Sequence, residues 1–392
     1  MDRFVLHEVR YVLVAMCYST RCLSFTIQDS LLDKSIFWCL TSIPIVVLCL
    51  PMLAYLLVDS KDLMDFITVL VPFTEILLTN VKMIICNLKR VKIINLINQL
   101  QLEWHEYKKS DNAEIQQLIA STTKKTRIFV IIYTASFFLI VVEYATLPLF
   151  KLLYHRVIMN DNSNYTTTLP YDVRLFYSIE ENTSFSVTYF FTLVAAFVLA
   201  FALTGFDSMF STLSMHITTM FKFLKIEIDQ LTRDLEARAP RKELHAKLRR
   251  IILKHKSNLS LIDQLEDGFS FFLMIQFLTS SIVVCVVLYE LTTVFGWNED
   301  TVKTMTYLPG AILQLYLLCW YSQNITDEAS QVADHIYNVP WYLSEPTLQK
   351  TILTLMVKAQ KPSGVTASKF YMVTLQSFQR VRQYRVTEMD VQ

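Results

Sequence analysis

The sequence predicts an all-α polytopic membrane bundle of seven spans, the seventh atypical, with a cytoplasmic N-terminus and a cytoplasmic layer of anchor helices. Three observations predict it. Of 392 residues, 53% are hydrophobic and only 18% charged, whereas a soluble domain carries roughly a quarter charged residues. Six apolar runs are long enough to cross about 30 Å of hydrocarbon as helices. Beyond the fourth run, the continuous apolar pattern gives way to a stripe spaced alternately three and four.

The six runs lie at 36–58, 63–86, 128–150, 185–206, 269–291 and 304–321. Their prolines, Pro44, Pro51, Pro72, Pro148 and Pro309, are tolerable in membrane helices, where neighbouring groups re-satisfy the freed backbone. A seventh segment near 364–386 opens with Phe370, Tyr371, Met372 and Val373, then meets Arg380, Arg382 and Arg385. Lysine and arginine set the orientation. Segments 1–35, 87–127, 207–268 and 322–369 carry 27 of them, and the alternate loops 59–62, 151–184 and 292–303 carry 5. The first set is cytoplasmic by the positive-inside rule. This divides the chain into a cytoplasmic N-terminal segment, 1–35, and a six-span bundle, 36–321, that includes a helical hairpin at 207–268. Anchor helices follow at 322–369, then a partial or aberrant seventh span at 370–392.

The hairpin reads from its periodicity. Phe210, Leu213, Ile217, Met220, Leu224, Ile228, Leu231 and Leu235 form one stripe, Ala239-Pro240 breaks it, and Leu244, Leu248, Ile251, His255, Leu259 and Ile262 form the returning one. Shorter stripes occur at Ile93, Ile94, Ile97 and Leu100, and at Leu348, Ile352, Leu355 and Met356. These helices are expected to pack as an intracellular layer that serves assembly, because the hairpin stripes would otherwise be exposed. Helices lying flat on the inner leaflet are the alternative.

Enzymatic signatures are absent: no H-E-x-x-H, G-x-S-x-G, P-loop or dinucleotide fingerprint occurs. The seven cysteines sit in or near apolar runs with no metal-ligand spacing, and are expected to be buried free thiols. No metal and no cofactor are implied, and a net charge of +1 offers no field for nucleic acid. The intramembrane ionisable residues are Glu75, Lys82 and Glu143. Such residues face the bundle interior or a cavity, and Lys82, near the inner end of its span, could snorkel to the interface. Aromatic residues gather in the outer halves of the spans, where apolar walls with few polar groups suit a small apolar ligand. Phe66, Phe73, Glu143, Tyr144, Tyr189, Phe190 and Tyr307 are therefore the candidate ligand-binding residues. Sequons at Asn164 and Asn182 fall in the predicted outer loop and are the candidate glycosylation sites; those at Asn258 and Asn324 fall inside.

The sharpest motif lies near the C-terminus. Tyr337-Asn338-Val339-Pro340-Trp341-Tyr342 is followed by Lys361-Pro362, by Thr366-Ala367-Ser368-Lys369-Phe370, and by Ser377-Phe378. In order and spacing this resembles the insect odorant receptor family. The resemblance implies a ligand-gated cation channel in the plasma membrane, a tetramer whose pore is lined by the seventh helix and held by a cytoplasmic anchor layer. It implies a pocket for a small volatile odorant in the outer part of each subunit, contact with membrane lipid, and a shared olfactory co-receptor as partner in a hetero-tetramer. The co-receptor carries an expanded loop between the fourth and fifth spans. This chain's shorter 207–268 segment resembles a ligand-tuning subunit instead. After Phe378 the family's apolar end is replaced by Gln379 to Gln392, with three arginines and two acids, so no gate residue is carried over. A gustatory receptor of the same superfamily and a secondary transporter are the competing readings. No internal repeat supports the latter.

Overall fold

The apolar runs become long helices, unbroken at Pro72, Pro148 and Pro309, in the computed structural model, which describes residues 38, 41–60, 62–157, 169–177, 182–293, 299–377 and 379. The main helices are α1 (Thr41–Val58), α2 (Leu63–Leu88), α3 (Arg90–Lys108), α4 (Ala113–Val157), α5 (Asn182–Glu236), α6 (Arg241–Thr293), α7 (Glu299–Tyr337) and α8 (Pro346–Ala359). Between Pro44 and Pro51, α1 passes through a π-helical stretch at Ile45–Cys49. A proline nitrogen cannot donate to the helix ladder, so the register changes there.

Among the described residues, five helices are long and apolar enough to cross a membrane: α1, α2, α4, α5 and α6. The remaining predicted span, 304–321, is helical inside α7 but is not among the five. Tyr307, Gln314, Tyr316 and Tyr321 dilute its apolar content.

The spans also run on well past their apolar limits. The segment 87–127 is almost wholly helical, as α3 and the first turns of α4. The Asn112 side-chain oxygen accepts from the Glu114 backbone N–H at 2.9 Å and caps the start of α4. Hydropathy alone hides this, because a solvated or half-buried helix continues without being apolar.

The hairpin is formed by the distal halves of α5 and α6, joined at Ala237–Pro240, where Arg238 takes a positive φ of 55°. Every residue of the first stripe is buried, from Phe210 to Leu235, and so are Leu244, Leu248, Ile251, His255 and Ile262 of the second. Their partners lie within the same chain: α5 packs on α6 and α7, α3 packs on α5 and α6, and α8 packs on α6 and α7. The helices thus pack as a layer within the chain, and the exposure of the stripes, the ground for an assembly role, does not hold. Trp104 of α3 meets His216 edge-on at 4.5 Å, and Tyr107 packs on Phe223 at 4.4 Å. Burial pushes the His216 imidazole down to about 4, and burial with Lys358 nearby lowers His255 too. Both histidines are thus neutral at pH 7 and fit apolar positions.

The basic faces are tied in as well. Lys225 bonds Glu328 at 2.6 Å, Lys254 bonds Glu106 at 2.5 Å, and Arg241 and His245 hold Glu345 at 2.5 and 2.6 Å. His245, then Arg241, keep the Glu345 carboxyl below the usual glutamate range. Helices laid flat on a leaflet could not make these interhelical pairs.

After α8 the chain turns back through a two-strand hairpin, β1 (Thr366–Ala367) antiparallel to β2 (Tyr371–Met372). This replaces the front of the predicted seventh span. The turn uses Ser368 and Lys369 in the left-handed region, φ 49° and 63°, and is closed by the Phe370 N–H donating to the Ala367 carbonyl at 3.0 Å. At Gly364 a side chain would run into Thr326 Oγ1 and, at 2.6 Å, Met372 Cε, so only glycine lets the hairpin approach α7 this closely. Helix resumes at 375, where Thr374 Oγ1 accepts from the Ser377 N–H at 3.2 Å. The segments 1–35 and 380–392, and with them the tail arginines, lie outside the described residues.

Candidate functional site

Four helices converge away from the hairpin, and each offers the same spacing to the space between them. α2 contributes Pro72, Glu75, Ile76 and Thr79; α4 contributes Phe137, Ile140, Val141 and Tyr144. α5 contributes Ala196, Leu199, Ala200 and Leu203; α7 contributes Tyr307, Gly310, Ala311 and Gln314. Each set is i, i+3, i+4, i+7, one face of a helix over two turns. Because Ala196, Ala200, Gly310 and Ala311 are small, the faces do not close, and a cavity of about 120 Å³ remains. A water needs about 10–15 Å³ on this measure, so the space suits a small organic molecule. Tyr171, from the loop 169–177, lies over it, its ring stacked 5.6 Å from Tyr144. A smaller cavity of about 30 Å³ adjoins, sharing Pro72, Tyr144, Tyr171 and Tyr307.

The walls are apolar with a few placed polar groups. Tyr307 donates to Glu75 Oε1 at 2.9 Å, and Thr79 donates to the Glu75 carbonyl at 2.8 Å. Gln314, on the cavity wall, donates to Asp207 Oδ2 at 2.6 Å. Asp207 also accepts from Tyr133 at 2.9 Å and pairs with the Lys82 ammonium at 3.4 Å. Lys82 stands 4.9 Å from the Phe272 ring centroid, and Gln276 donates to Gln314 Oε1 at 3.4 Å. One carboxylate thus ties α2, α4, α5 and α7 together beside the cavity, with α6 joined through Gln276 and Phe272. Lys82 and Asp207 side chains are 2% and 3% exposed. The snorkelling expected of Lys82 is therefore corrected: its charge is held inward by Asp207, one residue past the predicted limit of its span.

Of the expected ligand-binding residues, Tyr144 and Tyr307 line the cavity. Phe73 packs against the neighbouring cluster of Leu48, Met52 and Val69. Tyr189 is buried, donating to the Ala145 carbonyl, and Glu143 is half-buried; neither is among the lining residues. Phe66 and Phe190 stand on the outside of the bundle, Phe190 at 61% exposure. Glu75, Tyr171 and Gln314 were not among the expected ligand residues. The repeated i, i+3, i+4, i+7 sets rich in small residues were the signal for the helical ones; nothing local marks Tyr171.

Asn164 lies outside the described residues, and Asn182 begins α5. Asn258 is buried within α6, where no sugar could be attached. Cys49, Cys86 and Cys319 are buried free thiols, as expected, whereas Cys285 is exposed on the face of α6. Among the described residues, no group of three or more His, Cys, Asp or Glu could hold a metal ion.

A family model described as "7tm Odorant receptor" matches residues 62–384. The chain is 25% identical over 276 residues to Odorant receptor 13a of Drosophila melanogaster, covering 66% of this chain and 64% of that protein, just under two thirds of its length. It is 25% identical over 128 residues to the Odorant receptor coreceptor of Ooceraea biroi, 33% of this chain and 27% of that one. Its fold matches the structure of the insect olfactory receptor OR5 from Machilis hrabei in complex with eugenol, with a TM-score of 0.80 over 99% of this chain and 98% of that one. Sequence identity there is 16%, so the match speaks for the fold.

Proposed function

The chain belongs to the 7tm odorant receptor family, and on that premise we propose that it binds small volatile apolar ligands and, with the olfactory co-receptor, forms an odorant-gated cation channel for sensory transduction. The observation that carries this reading is the cavity lined by α2, α4, α5 and α7, apolar on most of its wall and tied through Gln314 to the Asp207 junction. Binding there alters the packing of four helices at once, which a ligand needs if it is to bias a gate. The family match also sets aside the gustatory and transporter readings.

The topology follows the charge asymmetry: N-terminus and hairpin cytoplasmic, cavity in the outer part of the membrane, the whole chain in the plasma membrane beside lipid. Hetero-tetramer assembly and Asn164 and Asn182 as glycan acceptors belong to the same proposal, with Tyr144 and Tyr307 as the expected residues that meet the ligand. So does the division into segments 1–35, 36–321, 322–369 and 370–392.

The cavity is tested by two substitutions of opposite sense. Tyr144→Ala removes a wall ring, a loss on the order of 1–3 kcal/mol of contact, and is expected to raise the EC50 of agonists about tenfold or more. Gly310→Ala adds a methyl at an ordinary 3.5 Å from Ile140, and is expected to shift responses toward smaller ligands without loss of surface protein. Dose–response curves unchanged in both variants would move the ligand elsewhere.

A further inference from the structure

One buried oxygen on the cavity wall has no hydrogen-bond partner among the described residues. Glu75 sits at the middle of α2 and lines the cavity. Its Oε1 accepts from Tyr307 at 2.9 Å. Its Oε2 is buried and has no hydrogen-bond partner among the described residues. The nearest cation along α2, Lys82, is engaged by Asp207. Other lining groups are already bonded: Thr79 to the backbone carbonyl of Glu75, Gln314 to Asp207 and Gln276, Tyr307 to Glu75 itself. The buried atom left unmatched is an acceptor, in a cavity whose other walls are Pro72, Ile76, Phe137, the Tyr144 and Tyr171 rings and aliphatic side chains.

A buried acceptor left unpaired is costly, while a partner that reaches it recovers that cost. The terminal torsion of a glutamate is broad, so a modest rotation of the carboxyl group presents Oε2 to the cavity while Tyr307 stays in reach. We infer that Glu75 makes this cavity selective for small apolar molecules bearing one hydroxyl group, alcohols or phenols, whose O–H donates to the carboxyl group. The inference rests on the cavity being the ligand site. Selectivity arises by the asymmetry that governs polar recognition: a site holding an unpaired hydrogen-bonding group discriminates strongly against an analogue that cannot supply the partner. An ether of the same skeleton fills the same volume and leaves Oε2 bare.

The experiment compares alcohols and phenols with their methyl ethers and with primary amines of the same skeleton. Two readouts run in parallel. One is current in cells expressing this chain with the co-receptor, the other thermal stabilisation of the purified chain. Wild-type chain is expected to favour each active alcohol over its ether by about tenfold. Glu75→Leu is expected to bring that ratio close to one while keeping the ether response. The double variant Glu75→Leu/Tyr307→Phe, which leaves no tyrosine hydroxyl unpaired, is expected to behave alike and guards against misfolding of the single one. A wild-type ratio near one, or a ratio that survives both variants, overturns the inference. Amines preferred over alcohols overturn it too, by marking a cation site. Absence of current with every compound would count against the channel reading alone, because the alcohol-to-ether ratio is still read from thermal stabilisation.

Discussion

Lys82→Met is expected to remove most folded protein from the membrane. The Lys82 ammonium lies 3.4 Å from Asp207, and both side chains are almost fully buried. Methionine matches the stem of lysine and packs on Phe272 as well, so loss of charge is the main change. Asp207 would keep Tyr133 and Gln314 as donors but would be an uncompensated carboxylate in a low-dielectric interior. Breaking a buried pair from one side costs about 3–5 kcal/mol, a large share of the roughly 5–15 kcal/mol that holds a typical fold. The double variant Lys82→Met/Asp207→Asn removes both charges and keeps an oxygen for the Tyr133 and Gln314 donors. It is expected to recover most of the monodisperse protein in detergent extracts. Lys82→Met accumulating like wild type would mean the pair is not what joins these helices.

Leu224→Asp is expected to be as damaging, at the other end of the molecule. Leu224 is 0% exposed in the core shared by α3, α5, α6, α7 and α8. An aspartate there loses a leucine's packing and buries a charge with no partner, several kcal/mol in all. Leu253→Asp in the same hairpin, at 57% exposure, is expected to change stability by no more than about 0.5 kcal/mol. Thermal unfolding of the purified variants reads the contrast. Loss of co-receptor association in Leu224→Asp would accompany loss of the fold. Residues such as Leu253, on the outside of the hairpin, are the ones that can report on contact with another subunit.

The hairpin was legible because it is half-buried: an apolar stripe against a charged face fixes both the helix and its inward side, and Phe210 to Leu235 fall inside as their spacing required. The membrane half was legible only as spans. There both lipid and interior are apolar, so composition does not tell an inward ring from an outward one, and Phe190 and Tyr144 look alike in sequence while one faces out and the other lines the cavity. Asp207 escaped notice because the apolar run ends at Phe206, although the helix does not. Its pairing with Lys82, 125 residues away, has no local signature. Tyr171 is placed by the loop 169–177, whose path depends on contacts such as the Arg174 N–H donating to the Pro51 carbonyl at 3.0 Å. The front of the atypical seventh segment departs from a span for a different reason. Phe370 to Val373 are apolar enough to begin a span, yet Ser368 and Lys369 turn the backbone left-handed just before them.

The most direct test is ligand-evoked cation current in cells expressing this chain with the olfactory co-receptor, set against cells expressing either alone. A tuning subunit of an odorant-gated channel gives currents only in the pair, with a ligand profile that Tyr144→Ala alters. Currents with the same profile when this chain is left out, or no conductance despite both chains reaching the surface together, would contradict it.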